Sequence, residues 1–127
     1  MESTPLLNRV RVLVVAADAT MGDAVEIILH EAGAGVTRAG SWAEAVKRLS
    51  SVVVDVVLVF DWGLGMGAAD MSRALRALSP GQGGETPLVL LTYDHVPSSA
   101  TERIWAVRPT ALEAMMRALR LAAGAAH

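Results

Sequence analysis

Apolar residues gather in five short blocks along the chain, Val10–Val15, Gly35–Arg38, Val56–Phe60, Leu88–Thr92 and Ile104–Val107. The third and fourth blocks run without polar alternation, as strands covered on both faces do. Between the blocks the period changes from two to about 3.6. Met21, Val25, Ile28, Leu29 and Ala32 make one helical stripe; Trp42, Ala45, Val46 and Leu49 make a second; Met71, Leu75 and Leu78 a third; Leu112, Met115, Met116 and Leu119 a fourth. Helix starts are marked by capping-box spacings at Ser41/Glu44 and Thr110/Glu113, with a weaker version at Thr20/Asp23. Alternating strands and helices predict an α/β fold, a doubly wound five-stranded parallel sheet with right-handed crossovers between two helical layers.

At 127 residues the chain suits one domain covering 1–127, with 1–8 read as an N-terminal tail and 122–127 ("AAGAAH") as a C-terminal tail or linker stub. Hydrophobic residues make up 53% against 19% charged, a balance suited to a sheet sandwiched between helices. The formal net charge of -2, with basic residues scattered and not striped, argues against direct nucleic-acid binding. No cysteine is present, which removes thiolate catalysis and zinc–thiolate sites. His30, His95 and His127 share no ligand spacing. No run approaches the roughly 20 apolar residues of a membrane span, and none suits a signal peptide, so a cytoplasmic protein with no membrane partner is the expectation.

In a parallel sheet, chemistry gathers at the carboxyl ends of the strands. Those ends carry Ala16 and Ala17, Asp61, Thr92, and Arg108 followed by Pro109. The surrounding stretches are "LVVAADATM", "VDVVLVFDW", "TPLVLLT" and "IWAVRPT". An acid after the third strand, a hydroxyl after the fourth and a cation–proline pair after the fifth resemble the receiver domain of bacterial two-component response regulators. The resemblance spans nearly the whole chain in order. It implies a flavodoxin-like three-layer sandwich in which Asp61 is the phosphoacceptor-like position, served by a histidine kinase and aided by Mg²⁺. Thr92 and Trp105 fall at switch-like positions, and Arg108 stands at the family's lysine.

The same resemblance exposes the departures. Ala16 and Ala17 replace the acidic pair that holds Mg²⁺ in the family, leaving Asp18 and the carbonyl of Gly63 as doubtful residual ligands. Gly65 stands where a proline is usual, Arg108 is positioned for an ion pair with Asp61, and the 93–103 crossover, interrupted by Pro97, leaves room only for a shortened fourth helix hinted at by Ser99/Glu102. Trp105 reads equally well as a packed aromatic at a sheet edge.

The expected function is therefore that of an atypical receiver, a pseudo-receiver: a non-enzymatic regulatory module working by protein–protein contact, with no cofactor required and Mg²⁺ weak at best. Its partners would be another signalling protein (a histidine kinase, an effector or a fused output domain) or a second copy of itself. Two alternatives remain open: a phosphorylation-competent receiver that accepts phosphate on Asp61, and a small dinucleotide-binding module built on the "GLGMGA" turn, Gly63–Ala68.

Overall fold

In a computed structural model the chain forms β1 (Arg11–Val15), α1 (Ala19–Glu31), β2 (Gly35–Ala39), α2 (Trp42–Ser51), β3 (Val56–Phe60), α3 (Ala68–Arg76), β4 (Leu88–Leu91), β5 (Ile104–Val107) and α4 (Leu112–Ala125). The structure describes residues 7–60, 64–65, 67–78, 84–92, 103–108 and 111–125. The five strands make one parallel sheet in the order β2-β1-β3-β4-β5. All five apolar blocks are strands, within a residue of their expected ends. The crossover expected to hold a shortened fourth helix, with its Ser99/Glu102 signal, lies outside the described residues.

Side-chain alternation sorts the core into two layers. Val12 and Val14, Val56, Leu58 and Phe60, and Val89 and Leu91 face α1 and α4, where Val25, Leu29, Met115 and Leu119 complete one cluster. Leu13 and Val15, Val57 and Val59, and Leu88 and Leu90 face α2 and α3, against Ala45, Leu49, Met71 and Leu75. Because both faces are covered, β3 and β4 are buried at every position, which is why they read as unbroken apolar runs. Each fully buried Leu or Val among them contributes about 1.5–3 kcal/mol of transfer free energy.

Several boundaries move. The chain before β1 is anchored sooner than a tail over 1–8 would be: Leu7 is fully buried and its amide donates to the Ala32 carbonyl at 2.9 Å. At the other end, residues 122–125 of the "AAGAAH" run are helical, and 126–127 lie outside the described residues. The α4 helix continues to Ala125, and Ala122 and Ala123 are buried against the sheet, where methyl side chains let the helix lie close. Leu112, expected on the inner stripe, is exposed because it opens the helix; burial begins with Met115. The α1 cap also sits earlier than the Thr20/Asp23 spacing suggested. Asp18 is the N-cap, its Oδ1 accepting from the amides of Thr20 (2.9 Å) and Met21 (3.2 Å), so Thr20 is already helical. At α2 the expected cap forms: Ser41 Oγ accepts from the Glu44 amide at 3.1 Å, and the Glu44 carboxylate reaches back to the Gly40 amide at 3.4 Å. Thr110 lies outside the described residues.

Two polar devices fix the sheet's flanks. At the amino ends of the strands, Asp55 accepts from the Arg11 amide (2.8 Å) and from its Nε (3.2 Å) and Nη2 (3.3 Å), while the Asp55 amide donates to the Arg11 carbonyl at 2.8 Å. This reciprocal clamp sets the starting register of β1 against β3. At the β2 edge, Arg38 reaches across α1, donating to Asp23 at 2.8 Å, Glu26 at 3.1 Å and the Ala19 carbonyl at 3.4 Å. The Asp23 hydrogen bond, with help from Glu26, holds this guanidinium above its ordinary pKa against the opposing pull of desolvation.

Arg38 explains a glycine inside a helix. Gly22 is buried in α1 beneath the guanidinium, and a Cβ there would collide with it, coming within 2.6 Å of Cζ. Helix propensity favours Ala over Gly by about 1 kcal/mol. Gly22→Ala is therefore expected to gain less than that in the parent, because Arg38 must shift away from Asp23 and Glu26 and their surface ion pairs weaken. In an Arg38→Ala background the same change recovers the full helix-propensity gain. Urea unfolding of the four proteins checks this coupling, and an equal effect of Gly22→Ala in the two backgrounds would contradict it.

Candidate functional site

The sheet register brings the strand ends to one level. Val15 pairs with Val59 and with Ala39, Phe60 with Leu91, and Leu91 with Val107. The next residues in each strand's sequence are Ala16, Asp61, Thr92 and Arg108. Ala16, Thr92 and Arg108 thus belong to one end of one sheet. Asp61, with Trp62, Gly63 and Pro109, lies outside the described residues.

At the end of β1, Ala16 is 3% exposed, and its amide extends the ladder by donating to the Ala39 carbonyl at 3.0 Å. Ala17 follows at the surface. Neither carries a polar side-chain atom. Asp18 is the first carboxylate after β1, and its Oδ1 is committed to two amides of the α1 first turn. Bending it back toward the strand end would undo that cap, worth about 1 kcal/mol, and orphan two donors. Mg²⁺ takes oxygen ligands in near-octahedral geometry and relies on one or two carboxylates. The end of β1 does not fit that ion. Among the described residues, no group of three or more His, Asp or Glu side chains could hold a metal.

Thr92 is buried, and its amide donates to the Val107 carbonyl at 3.0 Å, joining the ends of β4 and β5. Arg108 is exposed, and its carbonyl accepts from the Ala111 amide at 3.1 Å, turning the chain into α4. Trp105 sits half-buried on β5 and packs against the cluster shared by α1 and α4, so in this conformation it lies as a packed aromatic on an edge strand.

The loop after β3 bears on the glycine turn. Gly65 has φ +72°, the left-handed region that glycine enters without strain, and Gly67 is the N-cap of α3 with no side-chain cap bond. Asp70 stands in the first turn of α3, where it sets negative charge at the helix end a pyrophosphate would occupy.

Sequence reasoning missed two features near this edge. One is the Arg38 network, joined by Glu26 to His30 at 3.3 Å, since nothing in the pattern links an arginine on one strand to acids on a helix more than ten residues earlier. Gly22 on the inner side of a helix was its one visible trace. The other is Trp42, which opens α2 beside the end of β2; its Nε1 is buried without a hydrogen-bond partner.

No protein-family model and no curated protein matches the chain. Solved structures do. The chemotaxis response regulator CheY4 of Vibrio cholerae superposes with a TM-score of 0.72 at 23% identity, over 91% of this chain and 99% of that one. A sensor protein from Polaromonas sp. JS666 gives 0.73 at 17% identity, over 94% and 99%. The receiver domain of a sensor histidine kinase from Pseudomonas aeruginosa, solved with a magnesium ion coordinated in its active-site cleft, gives 0.72 at 18% identity, over 91% and 98%. The chain has the fold of response regulator receiver domains, a flavodoxin-like α/β sandwich. Among its described residues no helix is long and apolar enough to cross a membrane.

Proposed function

We propose that the chain is a receiver-type signalling module that has given up Mg²⁺-dependent phosphoryl transfer and regulates by protein–protein contact. One observation carries this reading: the first strand ends in a buried methyl group, Ala16, followed by Ala17, and the next acid, Asp18, is engaged in capping α1. In the Pseudomonas neighbour a magnesium ion occupies the active-site cleft. Here the residues that the resemblance places around such an ion keep only Asp61 and a carbonyl at Gly63. A lone carboxylate holds Mg²⁺ poorly.

A regulator survives the loss of this chemistry. A partner that binds two conformations with different affinity shifts their populations without any covalent step. Thr92 and Arg108, at the ends of β4 and β5, would then shape a contact surface, with Arg108 supplying a cation able to pair with Asp61 in place of a metal ion. The acid at Asp61 and the hydroxyl at Thr92, both kept from the family's pattern, also favour the second reading, a receiver still able to take phosphate on Asp61. The dinucleotide reading is weaker, since Asp70 occupies the first turn of the helix that would receive the pyrophosphate.

Titrating Mg²⁺ and then beryllofluoride while following Trp62 fluorescence separates the two receiver readings, in a protein with Trp42 and Trp105 changed to Phe. The expected result is no saturable response below millimolar Mg²⁺. A saturable response that disappears in Asp61→Asn would establish the phosphorylated switch instead.

A further inference from the structure

The candidate site lies at the carboxyl end of the sheet, and the turn that joins α2 to β3 lies at the opposite end. Two consecutive aliphatics stand out from that turn: Val52 is 40% exposed and Val53 67%, while Val54 folds back onto the core beneath α2 and α3. The Val52 amide donates to the Arg48 carbonyl at 2.9 Å, and the Asp55 amide donates to the Arg11 carbonyl at 2.8 Å, so the turn hangs between two arginines. An exposed aliphatic is ordinary by itself. What distinguishes this pair is the set of cations beside it.

Arg11 is half-exposed and shares Asp55, and Arg48 pairs with Glu44. Two further cations have no such use. Lys47 is exposed one residue before Arg48, and Arg9 is exposed two residues before β1. Neither side chain makes an ion pair or a hydrogen bond among the described residues. Arg9 also has φ +65°, in the left-handed region where a Cβ is crowded and glycine is the usual occupant. Backbone bonds fix the turn that demands this conformation, the Arg9 amide donating to the Gly33 carbonyl at 3.3 Å and the Val10 amide to the Leu7 carbonyl at 3.0 Å. Glycine would make that turn without strain. What arginine adds is an exposed guanidinium that no described residue of the chain engages.

We infer that Val52 and Val53, flanked by Arg9, Arg11 and Lys47, dock an acidic segment of a partner protein that carries an aliphatic side chain between its carboxylates. The carboxylates meet the two unpaired cations, and the aliphatic side chain covers the valines. The cations are exposed, so the contact is weakened by salt. This inference names the surface and the partner chemistry of the contact module proposed above and rests on that reading. It leaves the strand ends around Ala16 and Thr92 free.

Calorimetric titration of the whole chain with a synthetic peptide of glutamates around a central pair of leucines tests it. Saturable binding below about 1 mM is expected, falling as salt rises. Arg9→Glu, Lys47→Glu and Val53→Asp should each weaken it about tenfold, whereas Arg117→Glu, which changes the net charge equally but lies on α4, should leave it within about twofold. Arg9→Gly separates binding from folding: affinity should fall about fivefold while the urea midpoint holds or rises, because the left-handed turn is relieved. Absence of binding overturns the inference, and so does a loss from Arg117→Glu as large as that from Lys47→Glu. Stronger binding to vesicles of equimolar phosphatidylcholine and phosphatidylglycerol than to the peptide would assign the surface to a membrane and overturn it as well. The titration uses neither Mg²⁺ nor phosphate, and Asp61→Asn should bind the peptide as the parent does, so its failure is distinct from a failure of the Mg²⁺ reading.

Discussion

Restoring two acids at the end of β1, in Ala16→Asp/Ala17→Asp, is expected to raise the affinity for Mg²⁺ by about 100-fold or more, equivalent to about 2.7 kcal/mol. The estimate starts from Coulomb's law: a dication and a carboxylate about 4 Å apart attract by roughly 8 kcal/mol at an effective dielectric near 20. Most of that is lost to stripping water from both ions. The double variant should also be less stable than the parent when metal is absent. Ala16 is 3% exposed, so a carboxylate there is desolvated. Millimolar Mg²⁺ should recover that stability in the variant and change the parent little. Calorimetric titration and urea unfolding with and without Mg²⁺ measure both effects. Equal Mg²⁺ affinity in parent and variant would show that the missing acids are not what sets metal binding here.

The second large effect lies at the opposite edge of the sheet. Asp55→Ala should destabilise the fold by about 2–3 kcal/mol, because the Arg11 amide loses its acceptor at the start of β1 and a charge-assisted pair is removed with it. Arg11 is half-exposed and can rehydrate its guanidinium, which keeps the cost below that of breaking a fully buried ion pair. Asp55→Asn, which retains an oxygen acceptor for the Arg11 amide, should cost about half as much. Urea midpoints should fall while the m-value holds. A change under 0.5 kcal/mol for Asp55→Ala, about what an unremarkable surface substitution costs, would show that the clamp does not set the β1–β3 register.

Much of the fold was legible because the strands are buried on both faces. A strand with no solvent face cannot alternate, and the unbroken runs Val56–Phe60 and Leu88–Leu91 declare themselves. The end of α4 was not legible. "AAGAAH" has the composition of a linker, and only the close approach of helix to sheet gives Ala122 and Ala123 a buried role. Asp18 was legible as an acid at the start of a helix, but the cap itself showed only in the hydrogen bonds of its Oδ1. Gly22 could be seen as an oddity inside α1; its reason, the Arg38 guanidinium, arrives from a strand sixteen residues later and leaves no periodic trace. The candidate site was legible as a set because strand ends in a parallel sheet converge by topology. The chemistry the set can perform was readable only from what is missing, the two side chains at Ala16 and Ala17.

The most direct measurement is the intact mass of the protein after incubation with a small acyl phosphate and Mg²⁺. The account predicts a chain that stays unmodified, alongside an Ala16→Asp/Ala17→Asp variant that gains a phosphoryl group. Efficient addition of one phosphoryl group to the parent, abolished by Asp61→Asn, would contradict it.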